Sequence, residues 1–410
     1  MTVLFSPLTA AAQVPQVPQE RTLPLEEQVQ EEMASSPYRL GPVRLFPSFS
    51  LTNAGYNNNL FGTPAPTVSD WTADVSVGLH LLLPIGSKMY LRGDALPAYD
   101  WYAHHPELRT FGGLFGGDWL GFFNHLTTDV TGSSLQTSGP LNSEVQTQVT
   151  THILTGRAGF QVNLTHQWWL LADGRGQRVT QSSPAETSVD RLDRDDYIVH
   201  AGILYRWSSL LDVSASVEGT QSSFHQEAEA QFRDNRTTAY VLSVYYRGDR
   251  LFVNANGGYR VARPYGSSFA GFSTATESYF VSYYLSPPLE LQAYGHRAPG
   301  YSLFANNVYF METRNGLGAT LRIGRRIQLH GYGEVGTNDY PVAVPVPGGE
   351  LIERQDRFTI VGGGLTFLFF RNAALNAQIS KEKITSNYPG IARSIARFTT
   401  NLILQGIPTR

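Results

Sequence analysis

From Leu251 to Val261 the chain alternates. Leu251, Val253, Ala255, Gly257, Tyr259 and Val261 are apolar or small, and Asn254, Asn256, Gly258 and Arg260 lie between them. A period of two predicts a strand with one apolar and one polar face. The pattern recurs through the chain: Met89, Leu91, Gly93 and Ala95 share a face, as do Leu211, Val213, Ala215 and Val217, and Ile327, Leu329, Gly331 and Val335. The opposite face carries charges of both signs.

Eight times an alternating segment runs into a very short turn and another leaves it: PIGS (84–87), FNH (123–125), THQ (165–167), SS (208–209), RGDR (247–250), SPP (286–288), IGRR (323–326) and RNA (371–373). Connections this short are the mark of hairpins. Longer polar segments such as NNNLFGTPAPTVSD and YPVAVPVPGGELIERQD separate the hairpins. In an up-and-down meander every second connection lies at the same end. Tight turns therefore gather at one end and long loops at the other, the asymmetry of outer-membrane barrels with short periplasmic turns and longer extracellular loops.

The hairpins supply most of the strands, with one further segment before them (Val43 to Gly55) and one after (Arg393 to Gln405). The expected fold is an all-β, single antiparallel transmembrane barrel of about eighteen strands, or about sixteen, over residues 43–410. The alternating segments are longer than the five or six residues usual in a soluble sandwich, and match a tilted bilayer crossing. Their apolar faces are rich in Gly and Ala, which pack a dry core poorly.

Facing lipid with the apolar side leaves the polar side toward the lumen. Strand parity then places Arg92, Asp94, Asp129, Asp173, Arg175, Asp212, Glu218, Arg260, Arg322 and Glu334 on the lumen wall. Aromatic residues cluster beside the turns: Phe122 and Phe123, Trp168 and Trp169, Tyr205 and Trp207, Tyr245 and Tyr246, Tyr283 and Tyr284, Phe367 and Phe369. Rings at that level are expected to form a girdle at the membrane–water interface.

Composition agrees with this picture. Only 16% of the 410 residues are charged, while 39 glycines, 21 tyrosines and 22 phenylalanines favour strands and turns. The net charge of -3 gives no reason to expect a nucleic-acid partner. The chain has no cysteine, so disulfides and thiol chemistry are excluded. No apolar run approaches the roughly 18 residues of a membrane-spanning helix.

The start MTVLFSPLTAAAQ resembles the end of a secretory signal with its cleavage site, which makes residues 1–12 a truncated signal remnant. Residues 13–42, rich in Pro, Gln and Glu, are expected to be a flexible periplasmic extension, with a turn or two of helix around Pro24 to Met33, and a candidate contact for a periplasmic partner.

Candidate chemistry is sparse. GYGEVG at 331–336 matches a dinucleotide fingerprint in letters only, because it continues an alternating strand. Asp190, Asp193, Asp195 and Asp196 lack an EF-hand spacing and are interleaved with Arg191 and Arg194, which reads as a solvated loop. His104 and His105 are adjacent, so on a strand they point to opposite faces. No Ser/His/Asp spacing selects a triad, although a rim enzyme using His200 or His225 is a conceivable alternative. No catalytic residue, metal or cofactor is expected.

The segments VRLFPSFSLTNAGYNNNLF (43–61) and WTADVSVGLHLLLPIGSKMYLRGDALPAYDWY (71–102), with the repeated hairpin unit, resemble the putative β-barrel porin 2 family of Gram-negative outer-membrane proteins. The resemblance implies an outer-membrane location, a pore-like architecture and proximity to exopolysaccharide export, and it carries no catalytic residues. Barrel proteins commonly end on an aromatic residue used by the barrel-assembly machinery, whereas this chain ends FTTNLILQGIPTR. The function expected is a channel for small polar solutes or saccharides. The alternative is a plugged barrel serving exopolysaccharide export.

Overall fold

The computed structural model describes residues 25–64, 66–141, 144, 148–183, 187–265, 271–304, 307–346, 349–370 and 372–405. The signal-like residues 1–12, the first half of the extension and the last five residues lie outside them. Eighteen long strands form the wall: β1 Val43–Asn57, β2 Asp70–Ile85, β3 Met89–Tyr102, β4 Thr110–Phe122, β5 Leu126–Gly139, β6 Val149–Asn163, β7 Trp168–Ser182, β8 Arg194–Arg206, β9 Leu211–Phe224, β10 Asn235–Arg247, β11 Leu251–Pro264, β12 Phe272–Ser286, β13 Leu289–Tyr301, β14 Tyr309–Ile323, β15 Ile327–Asp339, β16 Gln355–Phe370, β17 Ala373–Ser386 and β18 Arg393–Gln405. Each pairs antiparallel with its neighbours in the chain. The ring is shut by β1 on β18, from Ser48 opposite Gln405 to Asn57 opposite Arg397.

All eight short turns fall between these strands as the alternation predicts. Two of them place glycine in the left-handed region, Gly86 at φ 66° and Gly324 at φ 63°, a conformation that costs other residues a clash of Cβ with the backbone. Nine longer connections lie at the opposite end, so both ends of the barrel chain reach the short-turn side. The Gly-rich stretch before Gly121 is a full strand, β4.

The two faces of the wall are chemically distinct. Large apolar side chains stand exposed outward around the ring, among them Val199 (65%), Leu317 (69%) and Ile379 (65%). A soluble monomer rarely exposes a contiguous apolar patch beyond a few hundred Å². A continuous outward band of this kind requires hydrocarbon around it. Inward-facing tyrosines lie flat over glycines of the next strand: a Cβ on Gly316 would sit 2.3 Å from the Tyr294 ring, and one on Gly362 would sit 2.6 Å from that of Tyr332. The Gly content noted above thus serves the inner wall as well as the outer one.

Two expectations are corrected. Within the presumed flexible extension, the helix expected around Pro24 to Met33 is there as Leu25–Ser35, α1, and what is corrected is the flexibility of residues 25–42: the helix is seated and Tyr38–Leu40 pairs with the start of β1. Leu25, Val29 and Met33 recur at four-residue spacing and make one apolar stripe. The second correction concerns the aromatic girdle. Consecutive strand residues point to opposite faces, so each adjacent pair is split. Trp168, Tyr205, Trp207, Tyr246, Tyr283, Phe367 and Phe369 take the outward side together with exposed Phe123. Phe122, Trp169, Tyr245 and Tyr284 turn inward and belong to the interior.

The outward face generates a direct test. Val199 lies near the middle of β8, and a guanidinium at mid-bilayer on a barrel costs about 2–4 kcal/mol. Val199→Arg is expected to lower unfolding stability by that amount in urea titrations from lipid vesicles. Ser216→Arg, facing inward at a similar level on β9, is expected to change it by less than about 1 kcal/mol.

Candidate functional site: the barrel interior

The inner wall is built by parity alone: wherever the outer face of a strand is apolar, the alternate residues meet inside. Cross-strand pairing then brings acids and bases of neighbouring strands within reach. Arg157 on β6 spans two acids, with Nη1 at 2.6 Å from Asp129 on β5 and Nε at 3.4 Å from Asp173 on β7. His200 on β8 reaches the other oxygen of Asp173 at 3.0 Å. Asp212 lies between Arg206 at 3.0 Å and Arg247 at 2.9 Å. Arg260 meets Glu218 at 3.2 Å, and Arg314 meets Glu334 at 3.0 Å while also pairing with Glu312.

Of the residues assigned to the lumen by parity, Glu218 and Arg260 pair with each other. Asp129 and Asp173 share Arg157, Arg322 reaches Glu290 at 3.3 Å, and Asp94 receives His80 Nδ1 at 2.7 Å. Arg175 lies on the same inward face as Asp173, exposed, and makes no ion pair among the described residues. Arg157, Arg206, Arg247 and Arg314 are additions. They lie on strands that enter the short turns, and the same parity count extended to those strands finds them.

The inward aromatics sit at the short-turn end beneath guanidinium groups. Arg206 lies 4.5 Å from the Trp169 ring, Arg247 5.2 Å from that of Tyr245 and Arg322 5.4 Å from that of Tyr284. Contacts of this kind hold a cation over a ring face, so this arc of the mouth layers guanidinium groups, paired with Asp212 and Glu290, over aromatic rings.

Across from that arc the mouth holds α1. Val29 is fully buried against Phe46, Leu82, Leu120 and Phe122 of β1 to β4. Burying such a side chain stabilises the seat by roughly 1.5–3 kcal/mol. Leu82 shares its face with His80, whereas Val77 and Leu79 hold the exposed outer side, which places α1 inside the barrel. Glu32 fixes the seat: Arg92 Nη2 donates to both its carboxylate oxygens at 3.2 Å, and His80 Nε2 lies 3.6 Å away. Residues 25–35, part of the 13–42 extension read as a candidate contact for a periplasmic partner, sit inside this mouth of the barrel.

The long-loop mouth is crossed as well. Glu144, between β5 and β6, accepts hydrogen bonds from the Ser302 hydroxyl at 2.6 Å and the Leu303 amide at 2.7 Å. Ser302 follows β13, eight strands further round an eighteen-stranded ring and so nearly opposite. Val149, Val189, Leu141 and Leu303 pack together along the same bridge. Buried Arg233 at the end of a short helix, Glu227–Arg233, donates to the Ser302 carbonyl. Burial pushes the Glu144 acid above the usual glutamate range, against the pull of its hydrogen bonds from Ser302 and Leu303.

The remaining motifs find structural places. His104 and His105 lie just outside β3, where strand alternation no longer applies, and both Nδ1 atoms converge on buried Asp70, at 2.9 and 2.7 Å. Asp195 pairs with Arg178 and Asp196 with Arg194. GYGEVG lies within β15. Ser134 Oγ and His152 Nε2 are 2.9 Å apart on the outer wall, and among the described residues no carboxylate pairs with that histidine.

Two outcomes follow. Glu334 is almost fully buried with Arg314, and removing one partner of such a pair costs about 3–5 kcal/mol. Arg314→Ala is expected to lose about that much stability in urea, and adding Glu334→Gln to recover most of it. For Glu144, the folded protein binds the proton more tightly than the unfolded chain does. Glu144's contribution to stability is therefore greatest at low pH and falls away as pH rises through the interval just above the usual glutamate range. In thermal midpoints measured against pH, Glu144→Gln should flatten that fall.

No protein-family description and no curated protein matches the chain. Among solved structures the barrel is similar to Pseudomonas aeruginosa OccK2 (OpdF), with TM-score 0.53 and 12% identity over 88% of this chain and 98% of that one. It is likewise similar to P. aeruginosa OccK9 (OpdG), with TM-score 0.52 and 11% identity over 89% and 98%. The outer membrane protein OpdK of the same organism gives 0.50 and 12% over 88% and 98%. At these identities the likeness is one of fold: a porin-like, eighteen-stranded antiparallel barrel. Such a closed ring with an apolar outer band belongs in the bacterial outer membrane, short turns toward the periplasm.

Proposed function

We propose that the chain is a passive channel carrying small polar solutes, saccharides among them, across the outer membrane. The observation that supports it most directly is the inner wall: a closed ring of this size normally encloses an aqueous channel, and here it is lined by acids and bases of neighbouring strands. Lumen-lining roles go to Arg92, Asp94, Asp129, Asp173, Arg175, Asp212, Glu218, Arg260, Arg322 and Glu334, with Arg157 and Arg314 added.

Two constrictions shape the path. At the periplasmic mouth α1 occupies the β1–β4 side and leaves the arc of Trp169, Tyr245 and Tyr284 facing it. At the outer mouth the Glu144 bridge crosses the opening. Between them, facing charges of opposite sign create a transverse field that orders water and orients dipolar solutes. Selectivity on this reading comes from width and field, without a covalent step.

Single-channel recording of the refolded barrel in a planar bilayer tests this. Stable open steps are expected, and a bilayer that stays silent after insertion would remove the reading. Arg175→Glu reverses a charge that makes no ion pair among the described residues. It is expected to move the zero-current potential in a salt gradient toward cation preference, more at low salt than at high salt, because screening shortens the field.

A further inference from the structure

The outer wall carries cations that its apolar band does not explain. Arg236, second residue of β10, and Arg263, last but one of β11, are direct cross-strand partners at the long-loop end. Both belong to the outward set, since the intervening Thr237 and Ala262 face inward and are buried. Like charges directly opposite one another destabilise a sheet, and here no acid forms an ion pair with either among the described residues. The adjoining segment GSSFA (266–270) contains no acid at all. Arg236 stacks on the Tyr265 ring at 4.8 Å, which holds its guanidinium at the rim.

A second group lies further round the wall. Lys381 and Lys383 alternate with inward Glu382 and Ile384 on β17, so both ammonium groups point outward and are exposed. Lys383 is opposite Thr359 and Thr385 is opposite Arg357, which puts Arg357 diagonally next to Lys383. Diagonal neighbours lie about 7–8 Å apart, within reach of side chains this long. None of the three makes an ion pair among the described residues; Arg357 Nε donates to Gln355, whose amide donates to outward Asp339, so the one acid beside the cluster is reached through Gln355 and leaves the cluster net positive. On β7, by contrast, outward Arg178 is neutralised by Asp195 in two hydrogen bonds, 2.8 and 3.0 Å.

Charges at hydrocarbon depth are costly, so these cations mark the headgroup level of the outer leaflet. Their number, sign and lack of internal partners call for an anion supplied by that leaflet. We infer that the outer wall at the long-loop end binds phosphorylated lipid headgroups, one phosphate cluster at Arg236 and Arg263 and a second at Arg357, Lys381 and Lys383. Guanidinium groups offer phosphate oxygens two parallel donors, and the lysines add point charges. The lipid then becomes a ligand of the wall at two places, independent of what passes through the interior.

The test uses the full chain refolded in phosphatidylcholine bicelles, with diphosphorylated lipid A or its fully dephosphorylated form added. The thermal midpoint is expected to rise with the phosphorylated lipid and not with the dephosphorylated one, and the rise should shrink at high salt. Arg236→Gln with Arg263→Gln should weaken lipid A binding at its cluster by about 30-fold, and Arg357→Gln with Lys381→Gln and Lys383→Gln at theirs by about 150-fold, at roughly 1 kcal/mol per cation. Neutralising Arg325 and Arg326, in a short turn at the other end, should leave it unchanged. Equal midpoints with the two lipids would overturn the inference without any variant needing to fold. So would undiminished lipid A binding by the neutralised walls, or a response to inorganic phosphate as large as the response to the lipid.

Discussion

Everything described depends on the seam between β1 and β18. In hydrocarbon no water is available to backbone N–H and C=O groups, so a sheet can span a bilayer only when its two edges pair with each other. The seam is irregular: a bulge interrupts β1 between Leu51 and Ala54, with Asn53 at φ 50° in the left-handed region that Asn tolerates. Its amide donates to the Asn401 side chain on β18 at 2.8 Å, and its own side chain donates to Asp74 on β2. Closure is thus pinned by side chains where the ladder skips.

Once the ring is closed, each strand has one face for lipid and one for the interior, and the inner face must satisfy its own charges. It does so laterally. Arg157 between Asp129 and Asp173, and Asp212 between Arg206 and Arg247, each tie three strands together. The same contacts that make the interior polar enough for water therefore also fasten the wall, and substitutions there act on stability and on the field at once.

The periodicity made strand number, turn positions and wall parity legible, because each is a local property of alternation. The aromatic pairs show the limit of reading by place along the strand: Trp168 and Trp169 share a level but not a face. The Glu32 seat has no local signal, since a helix with an apolar stripe declares that it needs a surface without saying which. The Glu144 contact joins residues 158 positions apart, and only the order of strands around the ring brings them together. His104 and His105 converge on Asp70 for a related reason: they stand beyond the end of the strand whose rule was applied to them.

The tie from Glu144 to Ser302 and Leu303 has a mechanical meaning. A ring of hydrogen-bonded strands resists stretching along its circumference but flattens readily into an oval, as a hoop does under a sideways squeeze. A tie between loops rooted eight strands apart opposes that mode at the outward rim, as a lashing across a hoop does, and works against lateral pressure from the surrounding leaflet.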